Sequence, residues 1–402
     1  MRAQFIPAET ISSVRTGALK LPARSKPLRV AFLVRSLGCG GAQRQLVLLA
    51  RGLHGLGHEI AVVEFYGGGY FEGELAAAGV PVYALGKEGR WDLAGFYPRL
   101  VRLLRRLDPE IVHGYLSTPN ILAASLRAAL PGTKIVLGVR DARLGFSGQS
   151  RMTRLVQAAE SHLSRLADLV IANSEAGLGS GQTERFHARR AAVIPNGIDT
   201  DCFRPDAEAG RRWRELWRIG EGEPLIGLVA RVDPRKDHET FVRAAALALQ
   251  LRTDLRFVCV GDGTVEYGDR LRRSGFESSF FDRLIFAGRS DKPAEVYNAL
   301  DVATLSSVTE GFPNVIGEAM ACGVPCVATD VGEAGRVVGR TGVVVPSLNP
   351  EALAAGWLQC LGAKRAGGGA AARQRVVENF SASRLVASTE AALQALSHRA
   401  DI

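Results

Sequence analysis

From Leu28 onward, short apolar runs alternate with segments whose apolar residues recur at helical spacing. LRVAFLVRS is almost continuously apolar, the pattern of a strand buried on both faces. LGCGGAQ follows, then RQLVLLARGL with one apolar stripe, so the unit reads strand, glycine loop, helix. The alternation continues through HEIAVVEFY, FEGELAAAGV, VPVYAL, FYPRLVRLLRRL, PEIVHGYL, ILAASLRAAL, KIVLGVR, RMTRLVQAAESHLSRL and ADLVIANS. Repeated βα units of this kind predict a doubly wound parallel sheet.

VIPNGIDTDCFRPD, rich in Pro, Gly and Asp, interrupts the series as a connector. A second series follows: PLIGLVAR, HETFVRAAALALQL, LRFVCVGDG, RLIFAGR, AEVYNALD, VATLSS, NVIGEAMACG, VPCVATD and TGVVVP, then helices from Pro350. The expected organisation is a flexible basic lead-in over 1–27 and a Rossmann-like domain over 28–195. A second such domain covers 196–380, and a C-terminal helix over 381–402 packs back on the first domain. Each domain offers a ligand edge at its strand C-termini, and a cleft between two such edges is the expected site.

A chain of 402 residues with 47% hydrophobic content can fill two such cores. No apolar run approaches the roughly 18 residues of a membrane span. The opening 30 residues lack the continuous apolar centre of a secretory signal, so a cytoplasmic protein is expected. The six cysteines are scattered, with no CxxC and no His at ligand spacing, which predicts reduced thiols and no zinc site. The net charge of +9 suggests an anionic partner. No base-stacking aromatic motif or basic recognition helix is present, so phosphorylated small molecules and membrane surfaces rank above nucleic acid.

Three stretches could carry chemistry. Gly38, Gly40 and Gly41 precede a helix N-terminus, where free amides favour an anion; a tight strand-to-helix turn explains the same glycines. In VARVDPRKDHETF, Arg231 leaves a buried strand, Lys236 stands before a helix and Asp237 is a plausible N-cap. Two cations there could neutralise a diphosphate without a metal, whereas Arg235 reads as a solvated charge. In TEGFPNVIGEAM, Gly311 and Pro313 forbid one helix through both glutamates, because Pro is tolerated only in a helix's first turn. Glu310 therefore belongs to a loop, and Glu318 lies just over one turn into a helix starting near Pro313. With no His and no further Asp nearby, a metal reading is poor. His113 ends the strand PEIVH at the ligand edge, as a packing residue or a functional one. Asn196, Gly197 and Asp199 most simply form a turn.

Taken in order, GGAQR, NGID, VARVDPRKD, VGDG and EGFPNVIGEAMACGVPCVATDVGE resemble a large family, the retaining nucleotide-sugar glycosyltransferases of family 4. These have the GT-B fold, two Rossmann-like doubly wound parallel-sheet domains facing a central cleft, and an E-x7-E motif. The resemblance runs from about Leu28 to the C-terminal helix. It implies that Glu318 binds the ribose hydroxyls and Glu310 the hydroxyls of the donor sugar, with the backbone of Phe312, Asn314 and Val315 along sugar and phosphate. Arg231 and Lys236 would carry the diphosphate, Gly40 and Gly41 would approach it from the other domain, and His113 would lie near the sugar or the acceptor.

Where the family commonly has a histidine after the next strand, KIVLGV is followed by Arg140 and Asp141, so that residue's role does not carry over. Arg140 facing an anionic acceptor, or Asp141 a hydroxyl, are open alternatives. The implied chemistry is metal-independent hexosyl transfer with retention. It proceeds through a front-face, oxocarbenium-like step with no covalent nucleophile and no cofactor beyond the nucleotide-sugar co-substrate, a UDP-sugar before a GDP-sugar. A glycan or lipid-linked acceptor in cell-surface polysaccharide or glycolipid synthesis fits. FYPRLVRLLRRLDPE sets Leu100, Leu103, Leu104 and Leu107 against Arg99, Arg102, Arg105 and Arg106. Its basic face either meets water or rests on anionic lipid at the inner membrane face. The rivals are another GT-B enzyme on a nucleotide sugar, such as an epimerase or a phosphorylase, and a non-catalytic nucleotide-sugar sensor.

Overall fold

The structure, a computed structural model, describes residues 4–5, 26–89, 92, 94–140, 151–179, 186–273, 278–365 and 367–397. Most of the lead-in, Asp141 and the last five residues lie outside these. The chain forms two compact units, 1–197 with 382–402, and 198–381.

The first unit is built on an all-parallel sheet. From one edge its strands run Gln4–Phe5, Arg190–Val193, Leu169–Ala172, Lys134–Val139, Ile111–Tyr115, Arg29–Val34, Glu59–Glu64 and Val82–Ala84. Chain order reverses between Arg29–Val34 and Ile111–Tyr115, which makes the crevice beyond their C-terminal ends the topological switch point. Strand residues 30–34 are buried because both sheet faces are covered. On one face Leu46, Leu49, Ala50 and Leu53 of helix Gly41–Gly55 pack with Leu385, Val386 and Leu393 of helix Ala382–Ser397. Gly52 permits that approach, since a Cβ there would overlap Val386. On the other face Phe96, Leu100, Leu103 and Leu104 of helix Phe96–Leu107 enter the core.

The second unit has a six-stranded parallel sheet in the order Leu284–Phe286, Arg256–Val260, Leu225–Val229, Val302–Leu305, Cys326–Thr329 and Val343–Val345. Its switch point lies between Leu225–Val229 and Val302–Leu305. One face is covered by helices His238–Leu251 and Pro350–Arg365, where Trp357 meets Phe241 and Phe257 at ring separations of 5.2 and 5.4 Å. The Trp357 Nε1–H donates to Thr304 Oγ1 at 2.9 Å, so its one polar atom is satisfied in the core. The other face carries helices Asn314–Ala321 and Gly368–Phe380.

Candidate active site

The switch point of the second unit gathers the residues singled out in its two longest motifs. The chain leaves strand Leu225–Val229 and makes a single 3-10 turn, Pro234–Lys236. Asp233 caps that turn by accepting from the Arg235 amide at 3.0 Å. Asp237, with φ of 48°, accepts from the Thr240 amide at 3.1 Å and caps the next helix. Beyond the neighbouring strand, Ser306 Oγ donates to the Lys236 carbonyl at 2.8 Å, and the Val308 amide to the Arg235 carbonyl at 2.9 Å. Two strand-end loops are thereby tied together.

Across this junction the Lys236 ammonium pairs with Glu310 Oε1, which also accepts from Ser307 Oγ at 2.7 Å. The Glu310 side chain is only 12% exposed and that of Lys236 27%, so the pair is largely shielded from water. Arg231 differs: its guanidinium is 62% exposed and meets Asp233 only at 3.5 Å. Arg235, expected to be solvated, instead forks onto Asp233 at 2.9 and 2.8 Å. A carboxylate two residues away, fixed before Pro234, is the physical reason for that correction. The Asp233 carboxyl is held well below its ordinary range by the hydrogen bond from Arg235.

The interruption after Glu310 is itself built in. Thr329 Oγ1 donates to the Ser307 carbonyl at 2.6 Å, and the Glu333 amide to the Gly311 carbonyl at 2.9 Å. Gly332, at φ of 55°, passes so close to Glu310 that a Cβ would overlap its carbonyl. Helix Asn314–Ala321 then starts directly after Pro313, with Phe312 buried against Phe380 at a ring separation of 5.6 Å. Asn314 and Val315 are half-buried in its first turn. Glu318, one turn further, accepts from the Tyr297 hydroxyl at 3.1 Å. Burial, and next the Glu318 charge, push the Tyr297 phenol well above its ordinary range, so it remains a donor.

In the first unit, Gly40 is the extended N-cap of helix Gly41–Gly55, whose first turn carries no acidic residue. The loop before it is tethered by Glu64, which accepts from the Leu37 amide at 3.1 Å. Burial, and next the neighbouring Glu72, push the Glu64 carboxyl up to about 7. His113 does not end its strand; the pairing continues through Tyr115. Its side chain is 0% exposed, with the rings of Phe32 and Tyr115 at 5.2 and 5.6 Å. Burial, and next the Arg140 charge, push its imidazole down to about 3, so it is neutral at physiological pH. The NGID turn is structural: Gln45 clasps Gly197 through two bonds of 2.8 Å, and Asp199 accepts from Cys202 at 3.0 Å.

Similarity to known proteins places the family and the fold. The family described as Glycosyltransferase Family 4 matches residues 39–202, and the one described as Glycosyl transferases group 1 matches 223–363. The 2-deoxystreptamine glucosyltransferase of Streptomyces kanamyceticus is 30% identical over 64% of this chain and 68% of its own. This chain belongs to the family 4-type glycosyltransferases. The GDP-mannose-dependent alpha-mannosyltransferase of Mycobacterium tuberculosis is 30% identical over 62% of this chain, which spans 63% of that relative's length. The crystal structure of Anabaena Alr3699/HepE in complex with UDP superposes with a TM-score of 0.78 at 22% identity, covering 92% of this chain and all of that one. The fold of this family 4-type chain is thus GT-B.

Three residues of this family 4-type chain hold the sites together without belonging to any of its motifs. Gln45, Tyr297 and Glu64 all act on partners distant in sequence, across intervals of 152, 21 and 27 residues. For Gln45, only its place next to the glycine loop was a signal; an isolated Tyr or Glu in a regular element gives none.

Proposed function

We propose that the protein transfers a hexosyl group from a nucleoside-diphosphate sugar to a hydroxyl acceptor, with retention of anomeric configuration. The observation that carries this is the junction at the second unit's switch point, where Lys236 and Glu310 pair beside the exposed Arg231. A lysine already held by one carboxylate can turn its remaining N–H donors to a diphosphate, and Arg231 supplies a second cation. Together they stabilise the charge that develops on the leaving diphosphate. Glu318, oriented by Tyr297, takes the ribose hydroxyls, and Glu310 takes hydroxyls of the donor sugar. The chain itself then supplies binding, orientation and charge stabilisation, while the attacking hydroxyl approaches the same face that the diphosphate leaves.

The donor base follows from recognition outside this junction. A named relative is GDP-mannose-dependent and a structural neighbour holds UDP, so GDP-mannose and UDP-sugars form the first donor panel. The acceptor belongs to cell-surface glycan or glycolipid synthesis, and the exposed Arg102, Arg105 and Arg106 of helix Phe96–Leu107 suit an anionic membrane face. Among the described residues no helix is long and apolar enough to cross a membrane. Thermal-shift screening of nucleotide sugars tests the donor, because ligands of the folded state raise its midpoint. A stabilising nucleotide sugar whose nucleoside diphosphate is released only with an acceptor supports transfer; binding without release with any acceptor supports the sensor reading.

A further inference from the structure

Arg140 follows strand Lys134–Val139 at the C-terminal edge of the first unit's sheet and is only 8% exposed. Its guanidinium lies over the Tyr115 ring, 4.7 Å from the centroid, and Nη1 donates to Asn196 Oδ1 at 3.2 Å. Nε and Nη2 have no acceptor among the described residues. That division is chemically specific. Nε–H and Nη2–H form the side-on edge of the guanidinium, two parallel donors spaced for two oxygens of one anion. Asn196 and the Tyr115 ring hold the other parts of the group, and the bidentate edge is left unused.

An arginine keeps its charge in any protein environment, so burial cannot neutralise it as it does a lysine. A buried charge without a counter-ion is unfavourable, and no carboxylate pairs with Arg140 among the described residues. His113 beside it offers no negative charge, and the Tyr115 phenol, raised by burial, stays protonated. Tyr115 also retains a hydroxyl with no partner among the described residues. The counter-ion must therefore come from outside this cluster. Both free N–H groups are closed to solvent in this conformation, so its binding entails local opening.

We propose that Arg140, stacked on Tyr115 and braced by Asn196, is a phosphate-binding site of the first unit, taking two oxygens of a phosphate ester through Nε and Nη2. The phosphate can come from two sources, the diphosphate of the donor or a phosphate carried by the acceptor. Only this choice of source rests on the transfer reaction proposed above.

Thermal shift and calorimetry on the full chain test it, with inorganic pyrophosphate, glycerol 3-phosphate, UDP, GDP and acetate as probes. In the wild type, pyrophosphate or glycerol 3-phosphate raises the midpoint and acetate at equal ionic strength does not. Arg140→Met removes the rise with glycerol 3-phosphate and, in an Arg231→Ala/Lys236→Ala background that lacks the other diphosphate site, the rise with pyrophosphate; Arg140→Lys, which keeps the charge but not the fork, reduces both. Without added anion, Arg140→Met melts no lower than the wild type, since it removes an uncompensated charge. A fall in UDP or GDP affinity in Arg140→Lys assigns the site to the donor. Unchanged nucleotide affinity with a lost glycerol 3-phosphate response assigns it to the acceptor. The Arg140-dependent rise persists in Arg231→Ala/Lys236→Ala, so loss of the nucleotide site leaves a different signature. No phosphate response in the wild type, the same response in both Arg140 variants, or an acetate response equal to that of phosphate overturns the proposal.

Discussion

The Tyr297 hydroxyl donates to Oε2 of Glu318 at 3.1 Å, so the carboxylate proposed to hold the ribose is aimed by a tyrosine on a different helix. Tyr297→Phe keeps the buried ring and removes only that bond. A hydrogen bond to a charged group contributes about 1.5 to 3 kcal/mol, of which part is recovered by water, so nucleotide affinity should fall roughly three- to thirtyfold. Calorimetry with UDP and GDP checks this. A variant that melts earlier but binds equally well would make Tyr297 a packing residue only.

Glu310→Gln should leave the loop seated, because the Thr329 hydroxyl holds the Ser307 carbonyl and the Glu333 amide holds the Gly311 carbonyl, neither through the Glu310 carboxylate. It removes the charge that pairs with Lys236 and two of the acceptor lone pairs proposed to take the sugar hydroxyls. Sugar transfer should drop on the order of 100-fold, the scale seen when one preorganised partner of the reacting group is lost. The nucleoside diphosphate alone should bind within a few-fold of the wild type. Steady-state rates beside nucleotide titrations separate the two effects.

Glu64 gives a pH dependence whose sign can be worked out. Its carboxyl is raised from an ordinary 4.5 to about 7 in the folded chain, first by burial, so the folded state holds a proton the unfolded state has lost. That stabilisation is full below about 4.5 and is lost as pH rises through about 7. His113 and His238, pushed down to about 3 and about 4 by burial, run the other way: their contribution is present above about 6.5 and fades as pH falls. Subtracting the melting profile of Glu64→Gln from that of the wild type isolates the first trend. A difference that does not decline between pH 5 and 8 contradicts it.

Much of the fold was legible because parallel strands buried on both faces must be apolar, and helices between them must carry one stripe. The break at Gly311 and Pro313 placed Glu310 and Glu318 on separate elements, and the Asp237 cap was readable from one residue before a helix. His113 was put two residues too near the edge, since Gly114 looks like a strand end while it packs against Asn120. The Lys236 to Glu310 pair spans 74 positions, and only the sheet order brings it together.

The arginine face of helix Phe96–Leu107 is not uniform. Arg99 pairs with Asp92 at 2.7 Å, while Arg102 and Arg106 face solvent. If this face meets anionic lipid, Arg102→Glu/Arg106→Glu should abolish flotation with phosphatidylglycerol vesicles at low salt and leave melting within about 0.5 kcal/mol, as for exposed substitutions. Wild-type protein that stays in the pellet fraction with such vesicles removes the membrane reading.

His113 should not titrate in the reaction. With its imidazole held neutral down to about 3, the rate profile between pH 5 and 8 should be the same shape in the wild type and in His113→Gln. An inflection near 6.5 present only in the wild type would restore His113 as an acid or base.

The second unit's switch point is proposed to bind a nucleoside diphosphate through Lys236 and Arg231. Titration calorimetry of UDP and GDP against the wild type and Arg231→Ala/Lys236→Ala tests it most directly. One of the two nucleotides should bind the wild type, and the double variant should lose at least roughly 100-fold in affinity, the sum of two charge-assisted bonds, with an unchanged circular dichroism spectrum. Equal affinity in the two proteins, or no binding of either nucleotide to the wild type, would rule out a nucleotide site at Lys236 and Arg231.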